Sequence, residues 1–184
     1  MSFIKCLIVG SVLPTAITGT IFIKEMSSEQ ILRTAKREGF TSKPIIPVKG
    51  DVPTIGYGTT IYPNGTRVTM LDKEISKKQA FEYLKEHIVK DSKVFNQSIL
   101  NIPISQEEYD IYMDFTYQYG IGAWLKSSML VNLKAKEYIK SCAALLKYKY
   151  VSGYDCSTPN NRRCPGVWTE QIKRYERCIE ANNV

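Results

Sequence analysis

REGFTSKPIIPVKGDVPTIGYGTT, residues 37–60, joins a helix end to a strand through a loop too rich in proline to be helical. Upstream of it, Ser27 and Ser28 precede a stretch, 29–37, in which Ile31, Leu32 and Ala35 share one face and Gly39 follows. That pattern predicts a short capped helix with Glu38 in its last turn. Pro44, Pro47, Gly50 and Pro53 exclude helix over 40–53. The Thr-, Ile-, Tyr- and Val-rich segments 54–62 and 66–70, on either side of Pro63-Asn64-Gly65, predict two strands around a turn. Beyond them the text turns helical, over 76–95, 105–119, 128–135, 137–148 and 169–181. Ser105 with Glu108 reads as a capping box, and Gly120 ends that helix. Residues 151–168, with Cys156 and Cys164 among prolines, asparagines and glycines, read as a long loop. The class is therefore α+β and mainly α, a small β-hairpin lobe beside a larger helical one.

Chemistry has few residue types to work with. The 184 residues include one histidine, His87, so one chain cannot build a metal site with two imidazoles, and no cofactor or metal is expected. Acid and base work then falls on carboxylates. Glycosidic bonds are cleaved by two carboxyl groups on opposite sides of the bond, one donating a proton and the other activating water or stabilising positive charge. Glu38, at the junction of helix and β region, sits where partial shielding from water favours the protonated form of a carboxyl group. Asp51, on the Gly-Pro loop, is the one acidic residue between Glu38 and Asp72 and stays ionised in so open a place. A plainer reading makes Glu38 a helix-end carboxylate paired with a basic neighbour.

The motifs EG at 38–39, TIGYG at 54–58, DFTYQYGIGAW at 114–124, SSMLVNLKAK at 127–136 and NRRCPGVW at 161–168 occur in this order. Together they resemble the phage-type lysozymes or endolysins, glycoside hydrolase family 24, over about residues 28–182. The resemblance implies a lysozyme-like fold and hydrolysis of the β-1,4 bond between N-acetylmuramic acid and N-acetylglucosamine in peptidoglycan, leading to host cell lysis. It also implies a catalytic set of Glu38 as acid, a middle acidic residue, and Thr54. The middle member departs from the family pattern, whose spacing falls near Ile46 or Pro47, neither of which ionises. Asp51 takes the water-orienting role instead, separated from Glu38 by twelve residues and from Thr54 by two, with Thr60 as the fallback threonine. An inverting mechanism follows, with carboxyl groups roughly 6.5 to 9.5 Å apart. Tyr57 and Tyr117 are candidates to stack on sugar rings, as are Tyr112, Tyr119 and Trp124, against core packing as the commoner use of aromatic side chains. A lytic transglycosylase, which keeps the glutamate and dispenses with the second carboxylate, stays open. So do a basic nucleic-acid-binding module and a cysteine peptidase using His87.

The chain carries 25 Lys+Arg against 18 Asp+Glu, a net charge of +7, which suits anionic partners. Residues 131–184 hold ten basic and five acidic side chains, so contact with an anionic outer-membrane surface falls to this basic C-terminal region. No nucleic-acid partner is expected, and a monomer is. Cys6 to Ile23 is an uncharged run diluted by Gly10, Pro14 and several threonines. Residues 1–26 thus read as a weakly hydrophobic signal-anchor-like segment and 27–184 as the catalytic domain. Residues 4–23 would engage the inner membrane transiently, and the protein would pass to the host periplasm from a membrane-tethered or cytoplasmic start. Of five cysteines, four lie after residue 141, and Cys142 with Cys178 and Cys156 with Cys164 are the favoured pairs, against reduced thiols in a reducing compartment.

Overall fold

The computed structural model describes residues 23–47 and 50–183, and the expectations placed on residues 1–22 lie outside it. Helix α1 (Ser28–Glu38) starts where the Ser27 side chain accepts a hydrogen bond from the Gln30 amide and stops at Gly39, whose φ of 70° ends the helical path. Residues 23–26 are tied to the body that follows. Met26 is buried in the core, the Lys24 carbonyl accepts from Tyr109 and Asn96, and the Glu25 carbonyl accepts from Gln106.

The β region differs from its expected pairing. Strand β1 (Thr41–Ile45) lies in the proline-rich stretch and pairs antiparallel with β2 (Thr54–Gly56), Thr41 opposite Gly56 and Ile45 opposite Thr54 with an irregularity between. Pro44 is tolerated because a two-stranded ribbon consists only of edges. The anticipated pairing of 54–62 with 66–70 shrinks to a bridge, Ile61 opposite Arg67, with hydrogen bonds from Tyr62 to Thr66 and from Val68 to Thr60 across the Pro63-Asn64-Gly65 turn. Gly56 fixes where the ribbon docks. Its φ is +68°, and a Cβ there would lie 2.9 Å from the Ala80 Cβ of the next helix.

That helix, α2 (Lys77–Ser98), opens with a capping box of Ser76 and Gln79. It leads to α3 (Gln106–Tyr119), which the Ser105 and Glu108 capping box starts and Gly120 ends, as the sequence indicates. Nine consecutive α3 residues, Glu108 to Thr116, are buried, because α2, α4 (Ile121–Leu125) and α7 (Pro165–Asn182) all pack around it. Tyr109, Tyr112, Phe95 and Trp124 form its aromatic centre, and the Trp124 ring N–H donates to Ser98 Oγ. Tyr112 and Trp124 are thereby removed from any part in sugar stacking.

Helices α5 (Ser128–Lys134) and α6 (Tyr138–Ala144) form a hairpin, the latter continuing as one 3₁₀ turn, Leu145–Lys147. Within the expected long loop a short ribbon forms, β3 (Tyr150–Val151) with β4 (Tyr154–Asp155). Helix α7 begins at Pro165, four residues earlier than its apolar pattern indicates, since proline suits a first helical position. Both favoured disulfides form. Cys142–Cys178 ties α6 to α7 and Cys156–Cys164 closes the loop before α7, each with Cα atoms 5.5 Å apart. Among the described residues no helix is long and apolar enough to cross a membrane.

Candidate active site

Glu38 is the last residue of α1, and the turn at Gly39 leaves its side chain at the mouth of the β ribbon, 26% exposed. One oxygen, Oε1, accepts from Arg37 Nη2 at 2.8 Å and from Arg37 Nε at 3.3 Å. The other, Oε2, faces Gly58, the last glycine of TIGYG. A Cβ built on Gly58 would stand 3.6 Å from Glu38 Oε2 and 3.7 Å from the Tyr117 hydroxyl. A side chain at position 58 would therefore occupy the space between the carboxylate and the phenol, and with φ at +89° the backbone itself favours glycine. Glu38 is both paired with a basic neighbour and open to an approaching group.

Tyr117 projects from α3 into the same corner. Its hydroxyl donates to the Tyr57 carbonyl at 2.6 Å, and its ring meets the edge of His87 on α2. Burial, with the charge of Glu38 beside it, pushes the phenol well above its ordinary range, so it remains a hydrogen-bond donor through the whole neutral range. Tyr57 lies between Phe40 and Phe81, half-buried. The two tyrosines expected near the substrate are thus joined to each other and to the corner that holds Glu38.

Asp51 and Thr54 share a different local frame. Asp51 is exposed on the loop between β1 and β2, where its Oδ1 accepts from the Val52 amide at 2.8 Å. Thr54, first residue of β2 and half-buried, donates its hydroxyl to the Val52 carbonyl at 3.1 Å. Val52 therefore links both side chains, one through its N–H and one through its C=O. Among the described residues neither forms a direct hydrogen bond with Glu38. Thr60, the fallback, is half-buried and lends only its carbonyl, to Val68.

Sequence reasoning passed over the charged cluster behind Glu38. Arg37 also pairs, through Nη1, with Asp114 Oδ2, which Arg174 of α7 holds with Nε at 2.9 Å and Nη2 at 2.6 Å. Thr34 donates to the other Asp114 oxygen at 2.6 Å. Burial alone would raise the Asp114 carboxyl, yet Arg174, Arg37 and the Thr34 hydroxyl bring it down to about 2. Asp114 was legible only as the first letter of DFTYQYG, in a helix whose apolar neighbours gave no sign of a buried acid.

A depression of about 530 Å³ lies behind this cluster. It is lined by Arg33, Lys36, Lys173 and Arg177 and reaches Arg37 but not Glu38, so its size does not mark the reacting corner. The basic side chains of α7 are ion-paired, Lys173 with Glu170, Arg174 with Asp114 and Arg177 with Glu107. All four later cysteines are in disulfides, leaving no thiol among the described residues for His87, which lies beside Asp91.

The family model for phage lysozyme matches residues 35–166. The endolysin of Salmonella phage P22 is 30% identical over 142 residues, 76% of this chain and 94% of that protein. An endolysin of Acyrthosiphon pisum secondary endosymbiont phage 1 is 27% identical over 95 residues, 52% of this chain and 60% of that protein. Among solved structures, an endolysin from Escherichia coli O157:H7 phage FAHEc1 superposes with a TM-score of 0.70 at 23% identity, over 85% of this chain and 94% of its own. A variant of P22 lysozyme gives 0.67 at 24% identity, over 85% and 99% respectively. At these identities the structural likeness speaks for the fold, which is the lysozyme-like α+β arrangement expected.

Proposed function

The chain belongs to the phage lysozyme family as a peptidoglycan-hydrolysing endolysin and muramidase, and from that premise we propose that Glu38 is its general acid, with Asp51 and Thr54 holding the attacking water. The observation that carries this reading is the Glu38 carboxylate at the end of α1, part-exposed, with one oxygen on Arg37 and the other turned to the open side of Gly58. A protonated Oε2 there could reach the leaving oxygen of the β-1,4 bond between N-acetylmuramic acid and N-acetylglucosamine. Asp51 presents its carboxylate on an exposed loop, and Thr54 adds a hydroxyl from the same turn. Water activated by that pair would attack the anomeric carbon from the face opposite Glu38 and invert its configuration. Tyr117 and Tyr57 would border the sugar at the subsite beside Glu38.

One product measurement and one rate measurement test the scheme. Muropeptides released by the purified enzyme should carry a reducing muramic acid, whereas an anhydro ring would mean transglycosylation without a water-holding pair. Asp51→Asn and Thr54→Ala should each lower kcat by roughly 10²-fold or more, the scale of general base catalysis. A wild-type rate in Asp51→Asn with a large loss in Thr54→Ala would move the water to another group.

The same reading places the mature enzyme in the host periplasm, after a membrane-tethered or cytoplasmic start and transient contact of residues 4–23 with the inner membrane. The two disulfides support an oxidising destination. Contact with an anionic outer-membrane surface would fall to Arg162 and Arg163, exposed on the disulfide-closed loop, with Arg163 over the Tyr154 ring. Fractionation of cells producing the full chain and a version starting at Ile23 tests the location, since the two share every described residue.

A further inference from the structure

Asp114 sits in the centre of α3, 2% exposed, and binds directly the residue that holds Glu38. A buried carboxylate between two guanidinium groups is a poor device for stability alone, because the desolvation of three charges offsets most of their attraction. Its place explains more. Arg37 is bound on two sides, Nη1 to Asp114 and Nη2 to Glu38, so the guanidinium cannot turn toward either carboxylate without leaving the other. Arg174 and Thr34 fix Asp114 from α7 and α1. The four charges Arg37, Arg174, Asp114 and Glu38 sum to zero when Glu38 is ionised.

We propose that Asp114, itself fixed by Arg174, is a positioning residue for the acid: it holds Arg37 so that Glu38 keeps one oxygen anchored and the other directed at the Gly58 opening, and it shares the charge of Arg37 with Glu38. The proposal rests on Glu38 being the acid. Glu38 is faced by Arg37 from its own helix, by Tyr117 from α3 and by the backbone at Gly58, with His87 of α2 beyond Tyr117 and Arg174 of α7 beyond Asp114. Asp51 is turned to Val52 and does not enter the cluster.

The test compares Asp114→Asn, Arg37→Gln and Glu38→Gln in the full chain, using initial rates on purified peptidoglycan across pH. Asp114→Asn leaves both guanidinium charges and one carboxylate. It should lower kcat about tenfold through misplacement of the acid, with KM unchanged within about twofold, and the alkaline limb of activity should move to lower pH. Arg37→Gln removes a positive charge beside Glu38 and should move that limb the other way, to higher pH. Opposite displacements are what a merely structural role would not produce, and Arg37→Gln carries the test if Asp114→Asn fails to fold. Wild-type kcat and unmoved pH limbs in both variants, with Glu38→Gln inactive, would overturn the positioning role and leave the acid assignment standing. An active Glu38→Gln would instead sink the assignment on which it rests.

Discussion

Glu38 and Asp51, the two carboxylates proposed to flank the scissile bond, are held in opposite ways. Behind Glu38, three helices converge on a buried cluster in which Asp114 accepts bonds from Thr34, Arg37 and Arg174. Asp51 has a single local bond, to the amide of the next residue, on a loop of eight residues between β1 and β2. The acid is thus positioned by long-range packing and the water-holding side by sequence-local turn geometry. Substitution in the buried cluster behind Glu38 should cost stability and activity together, and on the Asp51 loop activity alone.

The largest effect on stability should come from Asp114→Leu, which leaves the buried Arg174 guanidinium without its counter-ion and takes from Arg37 one of its two carboxylates. A loss of about 3 to 5 kcal/mol is expected, and denaturant unfolding measures it. A change under 1 kcal/mol would mean the cluster is not the support of α1 that its contacts indicate. Next is the Cys142–Cys178 bond, whose removal by a double Cys→Ala change should cost about 4 kcal/mol on loop-entropy grounds for the 36-residue separation, read from the shift in thermal midpoint.

The Asp114 pair also sets an acid limb of stability. Its carboxyl is depressed in the folded state, so its contribution is complete above the unfolded value near pH 4 and is lost as pH falls toward about 2. Roughly 2 kcal/mol of wild-type stability should disappear over that window, and the stability curve of Asp114→Asn should lack this loss. At the small end, Asp51→Asn should change stability by no more than about 0.5 kcal/mol, as expected for an exposed loop side chain, while strongly lowering the rate. A marked loss of stability there would erase the contrast between the two regions.

Much of the helical lobe was legible because its signals are local. Ser27 and the Ser105 and Glu108 box each declare a helix start within a few residues of it, Gly120 declares an end, and α1 and α3 begin where those residues place them. The ribbon was misread because β propensity favoured 66–70 over the proline-containing 41–45, whereas the partner of β2 is set by how Gly56 docks on Ala80. Glu38 could be singled out from its place before Gly39. The cluster that holds it could not, since Arg37, Asp114 and Arg174 are 77 and 60 residues apart and nothing in the local text of α3 distinguishes a paired buried aspartate from a solvated one.

The central claim concerns a single proton. Turbidity loss and muropeptide release by purified Glu38→Gln, with folding checked by circular dichroism, address it most directly. The amide can still accept from Arg37 but has no acid proton to give, so activity should fall by about 10³-fold or more while stability stays within about 1 kcal/mol. A folded Glu38→Gln enzyme that clears cell walls at near wild-type rate would contradict the account.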